Sequence, residues 1–338
     1  MKLKNFNQIK KPLLIAEIGN NHEGNLRVAK KMIVLAKKAG ADAVKFQTFK
    51  LEQFVSIHDK KKFLQYKKFE LSFGDFKKLK KYSKSMGLLF ISTPLDLESA
   101  NFLTGIVDVF KISSGDNNWM DLIKIAEKSK KPVIISLGLL DMKKFTSLLS
   151  KIKKIFKGNF KNKVALLHCV SDYPPKKNDL NLNFIKNLKK YCKHYGYSDH
   201  AIGINASKIA VCFDAKIIEK HFTMDKKFSN FRDHSLSADF YDLKKIREFI
   251  DDFYLMKGNG IKKISQSEKK NLHNFRRSIA LREDLCLNSR VVKNDITFLR
   301  PGFGISPNQK NKVLGMQLNR HLKKHEVLKF SHLKKNNK

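Results

Sequence analysis

From Leu13 to Glu219 one theme repeats eight times: a short apolar run, a polar or glycine-containing turn, then a longer segment with Leu, Ile, Ala and Phe at helical spacing. Successive βα units produce this alternation, because a strand covered on both faces reads as a continuous apolar run and its helix reads at period 3.6. The strand-like runs are Leu13 to Ile18, Ala43 to Phe46, Leu88 to Ser92, Val107 to Ile112, Val133 to Leu137, Val164 to Cys169, a weak one at Tyr195 to Ser198, and Lys216 to Glu219. Several helical segments have readable ends: Asn25 caps Leu26 to Ala39 before Gly40, Asp75 to Met86 stops at Gly87, and Asp242 to Met256 stops at Gly258. Eight such units predict an α/β chain closed as a (β/α)8 TIM barrel. An open doubly wound sheet usually has fewer strands and a glycine fingerprint after the first, and no G-x-G-x-x-G or phosphate-loop motif is present.

The texture changes after Gly258-Asn259-Gly260. A polar, Lys- and Ser-containing connector runs to about Phe275, followed by short β-like pieces with tight turns: Ser278 to Leu281, Val291-Val292, Ile296 to Leu299, Arg300 to Gly304, and Lys324 to Phe330. The expected organisation is a barrel over 1–258, a linker over 259–275 and a small β-rich domain over 276–336, too small for a catalytic core of its own.

Composition excludes several other classes. The 338 residues are 42% hydrophobic with only 7 Pro and 16 Gly, which is neither collagenous nor broadly disordered. The four cysteines, Cys169, Cys192, Cys212 and Cys286, are widely separated; three sit in apolar stretches where a thiol is expected to pack, a pattern that fits a reducing cytoplasm. Met1 to Asn7 carry charge but no apolar signal-like region, and no run approaches the roughly 18 apolar residues of a membrane span, so a soluble cytoplasmic protein is expected. The formal charge of +38 invites a nucleic-acid or anionic-membrane reading. Against it, only nine of the 69 basic residues are Arg, and the lysines are scattered as doublets such as Lys77-Lys78, Lys153-Lys154 and Lys189-Lys190 on helical segments. Solvated helix faces account for that pattern, and neither a nucleic-acid nor a membrane partner is expected.

In a (β/α)8 barrel the functional groups stand at the C-terminal ends of the strands. Here the ends carry in turn Glu17; Lys45, Gln47 and Thr48; Ser92 and Thr93; Lys111, Ser113, Ser114 and Asp116; Ser136 and Gly138; His168, Ser171 and Tyr173; Ser198, Asp199 and His200; and Glu219, Lys220 and His221. Any one has a structural explanation, but eight in phase mark an enzyme mouth. Lys45 and Lys111 among Thr93, Ser114, Ser171 and Ser198 suit a small, multiply charged anion such as a phosphorylated carboxylate. His200 and His221, on adjacent strand ends, could ligate zinc, manganese or iron; two histidines alone are a weak metal signal, and a purely hydrogen-bonding role is the default reading of the pair.

These residues lie in motifs that resemble the bacterial sialic acid synthase family. They are Ala16-Glu17-Ile18-Gly19-Asn20-Asn21-His22, Val44-Lys45-Phe46-Gln47-Thr48, Phe110-Lys111-Ile112-Ser113-Ser114-Gly115-Asp116, Leu167-His168-Cys169, Tyr173-Pro174, Ser198-Asp199-His200 and Glu219-Lys220-His221-Phe222-Thr223. Arg300-Pro301-Gly302-Phe303-Gly304-Ile305-Ser306-Pro307 resembles the antifreeze-like (SAF) domain that ends those enzymes. The resemblance implies a cytoplasmic transferase that condenses phosphoenolpyruvate with an N-acylated hexosamine, N-acetylmannosamine or a diacetamido-dideoxyhexose, giving a nine-carbon 2-keto-3-deoxy sugar acid and phosphate.

Carried over by position, it assigns Lys111, Ser114 and Ser198 to the phosphate, and Lys45 and Thr93 to the carboxylate. Gln47, Ser136 and Ser171 belong to the same phosphoenolpyruvate side, and Glu17 to proton traffic. His200 and His221 are assigned to a divalent metal, Mn2+ with Mg2+ or Co2+ as alternatives. Tyr173, Asp116 and Asp233 face the sugar, and Arg300 reaches its acyl group from the partner subunit of a domain-swapped homodimer. The chain departs from the family pattern at Asp116 (often Glu), Leu137 (commonly Thr), Ser171 (Asn in some) and Phe231-Arg232-Asp233-His234 (more often Gly-Pro-Asp). These changes bear on the hexosamine more than on the reaction. A condensing barrel that uses a phosphorylated aldose, and a non-catalytic basic binding protein on a barrel scaffold, are the alternatives.

Overall fold

The structure, a computed structural model, describes residues 3–334; Met1 and Lys2 of the amino-terminal reading, and residues 335–336 of the expected small domain, lie outside it. The chain divides into two compact units, Met1–Gly258 and Asn259–Lys338.

In the first unit eight parallel strands close into a barrel in sequence order: β1 (Leu13–Gly19), β2 (Ala43–Thr48), β3 (Leu89–Pro94), β4 (Val109–Ile112), β5 (Val133–Ser136), β6 (Val164–His168), β7 (His194–Asp199) and β8 (Ile217–His221), with β8 pairing back onto β1. All eight runs expected from periodicity are strands, including the weak one, which extends to His194–Asp199.

Alternation along each strand builds two apolar layers. Leu13, Ile15, Ala43, Leu89, Ile91, Val109, Ile134, Ala165, Leu167 and Ile217 point inward and pack with Leu3 and Phe6 at the amino-terminal end of the barrel. Their neighbours Leu14, Val44, Phe90, Phe110, Ile135, Leu166, Tyr197 and Ile218 point outward beneath the helices. Helix Leu26–Lys38 shows how local sequence supports this: the Asn25 side chain accepts from the amides of Arg27 and Val28, Ala29, Met32, Ile33 and Ala36 form the buried stripe, and Gly40 turns the chain at φ +88°. The helix expected from Asp75 begins earlier, at Phe73, because Ser72 accepts from the Asp75 amide and is the cap. The lysine doublets at 77–78, 153–154 and 189–190 are exposed.

Only two cysteines pack as expected, Cys169 and Cys192; Cys212 and Cys286 are exposed, because each falls on the outer side of its segment. No helix among the described residues is long and apolar enough to cross a membrane.

The second unit pairs β9 (Ser278–Leu281) antiparallel with β10 (Ile296–Leu299) over a core of Ile279, Leu281, Val291, Ile296, Ile305, Val313, Leu318, Leu322, Leu328 and Leu333. Two features differ from the sequence reading. The connector contains a helix, Gln266–Phe275, started by a reciprocal capping box between Ser265 and Glu268. The runs at Val291 and Lys324–Phe330 are not strands: the chain meets its neighbours there through isolated bridges, Arg290 with Gln317 and Val327 with Ala280, before turning away.

Candidate active site

The inward parity that fills the barrel with aliphatic side chains continues to the carboxyl ends of the strands, where the residue type changes. Two positions beyond Ile15, Ala43, Ile91, Val109, Ile134 and Ile217 stand Glu17, Lys45, Thr93, Lys111, Ser136 and Glu219. With Gln47, Ser113, Ser114, Asp116, Ser171, Tyr173, Ser198, His200 and His221 they line a cavity of about 330 Å³, whose apolar lining residues are Phe54, Leu95 and Leu139. All but two of the residues assigned above to catalysis, substrate or metal line this one cavity. Asp233 lies behind His221 rather than on the cavity wall, and Arg300 belongs to the second unit, where its guanidinium stacks over Phe275 at 5.7 Å. His168, named as a strand-end group, points outward: its Nε2 bonds the Leu180 carbonyl at 2.7 Å and its ring packs on Phe184.

Four buried charges form the floor. Lys45 Nζ lies 2.9 Å from Glu17 Oε1 and 3.6 Å from Glu219 Oε1, and Lys111 Nζ lies 3.2 Å from Glu219 Oε1. Ser198 Oγ donates to the same Glu219 oxygen at 2.9 Å, and Lys45 donates to Thr93 Oγ1 at 3.3 Å.

The two carboxylates are driven apart. Burial pushes both up, and for Glu17 it prevails over the attraction of Lys45, with the like charge of Glu219 adding to the rise. For Glu219 the combined pull of Lys111 and Lys45, with the Ser198 hydroxyl, overcomes burial and holds it at about 2. Burial would lower Lys45, but its two carboxylates keep it above the ordinary lysine value; Lys111 falls below, by burial first, with Lys45 repelling it. Glu219, named with His221 at the end of the eighth strand, is given no role by the sequence reading. The available signal was parity, since it shares the inward face of β8 with His221 two residues on.

A row of hydroxyls lies beside this floor. Ser171 Oγ donates to Ser114 Oγ at 2.7 Å, and Ser136 Oγ is buried without a hydrogen-bond partner. Gly138 leaves room for them, because a Cβ there would fall 2.1 Å from Ser171 Oγ and 3.0 Å from both Ser114 Cβ and Cys169 Sγ. Asn117 fixes the turn after β5 by donating to the carbonyls of Ser136 and Gly138 at 3.1 and 3.0 Å. Asp116 accepts from Ser113 Oγ at 2.5 Å, and burial raises its carboxyl.

The histidines close the far side, with ring centroids 5.6 Å apart. His200 Nδ1 is 2.7 Å from the Val170 carbonyl, which can only accept, so Nδ1 carries the proton and Nε2 presents a lone pair. The Tyr173 hydroxyl lies 3.3 Å from that Nε2, and its ring stacks on His200 at 4.2 Å. His221 Nδ1 is buried without a hydrogen-bond partner, 4.0 Å from Asp233 Oδ2. Burial keeps both imidazoles neutral, His200 at about 4 and His221 well below its ordinary value, which is the ligand form. Among the described residues no three His, Cys, Asp or Glu side chains cluster at metal-binding spacing. The two histidines still fit a divalent ion that takes its other ligands from substrate or water.

Phe231-Arg232-Asp233-His234 opens a short helix, Arg232–Leu236, capped by Phe231. His234 Nδ1 lies 2.7 Å from Thr223 Oγ1 and its Nε2 3.2 Å from Glu23 Oε1, while the Arg232 guanidinium lies over the Tyr173 ring at 4.9 Å.

Comparison with known proteins agrees with this arrangement. The NeuB family profile matches residues 32–262 and the SAF domain profile residues 276–334. The chain is 36% identical to the N,N'-diacetyllegionaminic acid synthase of Campylobacter jejuni over 95% of this chain and 100% of that protein. With the N,N'-diacetyllegionaminic acid synthase of Legionella pneumophila the identity is 35%, over 95% of this chain and 94% of that protein. Among solved structures, the N-acetylneuraminic acid (sialic acid) synthetase of Leptospira borgpetersenii superposes with a TM-score of 0.71 at 34% identity, covering 78% of this chain and 90% of that one.

Proposed function

The chain belongs to the NeuB family, as an enzyme of the sialic acid synthase type with a carboxyl-terminal SAF domain, and from that premise we propose that it joins phosphoenolpyruvate to a diacetamido-dideoxyhexose. The observation that carries the reading is the floor of the cavity: two buried ammonium groups, two carboxylates of divergent proton affinity and a row of hydroxyls, an arrangement suited to a compact trianion. Lys111, Ser114, Ser171 and Ser198 would take the phosphate, and Lys45, Thr93, Gln47 and Ser136 the carboxylate side. The names of the relatives and the apolar lining residues Phe54, Leu95 and Leu139 support the acceptor, whose acetamido methyls and deoxy carbon need apolar contacts. Tyr173 and Asp116 would orient its hydroxyls, with Asp233 behind them.

In the reaction, C3 of phosphoenolpyruvate forms a bond to the aldehyde carbon, the aldehyde oxygen gains a proton, and water adds at C2. Breaking the C2–O bond then releases phosphate and leaves the 2-keto acid. A divalent ion, Mn2+ by expectation, would be held by His200 and His221 and supply Lewis-acid polarisation of the aldehyde. The residues of the chain do the remaining work. Fixing the two reactants face to face replaces a bimolecular encounter. Lys111 and the hydroxyls stabilise the departing phosphate. Glu17, the carboxylate that binds a proton more readily, takes one from the attacking water. The reading also assigns a homodimer in which Arg300 reaches the acceptor's acyl group from the partner subunit; light scattering is expected to give twice the mass of the chain.

The test is phosphate release from phosphoenolpyruvate with Mn2+, offering N-acetylmannosamine, two diacetamido-dideoxyhexoses and a phosphorylated aldose in parallel. Release with a diacetamido sugar, abolished in His221→Ala, is the expected result. Release only with the phosphorylated sugar would replace the proposed acceptor, and no release with any, despite phosphoenolpyruvate binding, would overturn it.

A further inference from the structure

Three lysines are buried among the described residues: Lys45, Lys111 and Lys220. The first two face the cavity. Lys220 does not, and nothing in the reaction uses it. It points to the outer face of β8, where its side chain and that of Asp199 on β7 are both fully covered, with Nζ 3.3 Å from Oδ2. The two residues are register partners across the parallel strands. Alternation then places them directly behind the active-site wall: Ser198 and His200 flank Asp199 on the inner face, and Glu219 and His221 flank Lys220.

A buried ion pair is weak evidence for stability, since removing two charges from water costs about as much as their attraction returns. In this chain, where the other two buried lysines both face the cavity, a fully covered lysine behind its wall calls for another explanation. The hydrogen bonds supply one. Asp199 Oδ1 accepts from the Ala201 amide at 2.9 Å, and Asp199 Oδ2 accepts from Ser207 Oγ at 2.6 Å. Lys220 Nζ donates to the Ala201 carbonyl. The pair therefore holds both the N–H and the C=O of the residue that follows His200, while the His200 ring is held by the Val170 carbonyl. One end of this clamp is rooted beside His221 and the other beside His200.

We propose that Asp199 and Lys220 are positioning residues for the two-histidine site, setting the spacing and aim of His200 against His221 for a divalent cation. This rests on the reading of those histidines as metal ligands. Outer supports of metal-binding histidines typically change affinity by about 10- to 100-fold when removed. A structural role alone would change stability and leave affinity intact.

The experiment uses the full-length protein and Mn2+ alone, with free Mn2+ measured by electron paramagnetic resonance. The double variant Asp199→Asn/Lys220→Met removes both charges together and so avoids a stranded buried ion. It is expected to melt near the wild-type temperature, to bind phosphoenolpyruvate as wild type does, and to bind Mn2+ about 10- to 100-fold more weakly, with turnover restored by excess Mn2+. A folded double variant with wild-type Mn2+ affinity overturns the proposal. Should the double variant fail to fold, Ser207→Ala removes only the hydroxyl that donates to Asp199; weaker Mn2+ binding supports the proposal and unchanged binding overturns it. Wild-type protein that binds no more Mn2+ than His221→Ala removes the two-histidine reading itself, and this proposal with it.

Discussion

Glu17 and Glu219 share one pair of lysines yet have opposite proton affinities, and the difference is what allows one charge cluster to serve two purposes. A carboxylate held at about 2 by Lys111 and Lys45 remains an anion and keeps those ammonium groups in place. One that burial lifts can take a proton and return it. The sign of the pH dependence follows. A base must be unprotonated, so kcat/KM is expected to fall as the pH drops through the raised pKa of Glu17, with the limb above the ordinary carboxylate range. Glu17→Gln should lose about 10²- to 10⁴-fold in kcat and lose that limb. Glu219→Gln should lose rate through misplaced lysines but keep the limb, because Glu219 does not titrate in that window. Rate profiles of the three proteins decide; a limb that survives in Glu17→Gln removes Glu17 from proton transfer. At this scale the sequence was legible wherever a charged side chain interrupts an apolar run, as Glu17, Lys45 and Lys111 do. Glu219 was named at its strand end but left without a role, because His221, two residues further out on the same face, took the assignment there. His168 was misplaced for the converse reason: its position at a strand end says nothing about which face it occupies.

The strands and their order followed from apolar runs alone, because a strand covered on both faces has little freedom to be anything else. What periodicity could not supply were elements stabilised by caps or isolated contacts. The helix Gln266–Phe275 has no buried residue and is announced only by Ser265 and Glu268, while the β-like runs at Val291 and Lys324–Phe330 make single bridges rather than ladders. The turn after β5 shows how closely an element's end can be tied to binding. Gly138 has no room for a Cβ unless Ser171 rotates away from Ser114, and Asn117 pins the backbone on either side of Leu137 so that the turn cannot yield instead. Gly138→Ala is therefore expected to raise the KM for phosphoenolpyruvate about tenfold or more, in line with the loss of one or two hydrogen bonds to a charged group. The melting temperature should fall modestly, since Ser114 Cβ and Cys169 Sγ, each 3.0 Å from the added methyl, must also give way. Unchanged KM in this variant would show that the Ser114–Ser171 pair does not touch the phosphate.

At the scale of the whole chain, the division at Gly258–Asn259 separates two sets of proposed roles. Every residue that lines the cavity belongs to the first unit, as do the Asp199–Lys220 pair and the short helix that carries Arg232 and Asp233. The second unit has a core of its own and contributes, by the proposal, Arg300 alone. Net charge offers no further guide: the lysine doublets lie exposed, on helices at 77–78 and 153–154 and just past a helix end at 189–190, so the +38 reports composition and predicts affinity for polyanions that falls steeply with salt. The two-unit arrangement makes a sharper prediction. A chain ending at Gly258 retains the closed barrel, both its apolar layers and every group assigned to phosphoenolpyruvate. It is expected to bind phosphoenolpyruvate within about threefold of the full chain, while the KM for the acceptor sugar rises about 10-fold or more through loss of the Arg300 contact, the range for a charged hydrogen bond. Calorimetry with phosphoenolpyruvate and steady-state kinetics in the sugar separate the two effects. Arg300→Ala in the full chain should reproduce the kinetic change without truncation. If the truncated chain folds but binds phosphoenolpyruvate poorly, the cavity as described is incomplete; if Arg300→Ala leaves the acceptor KM unchanged, the small unit serves something other than the acyl group.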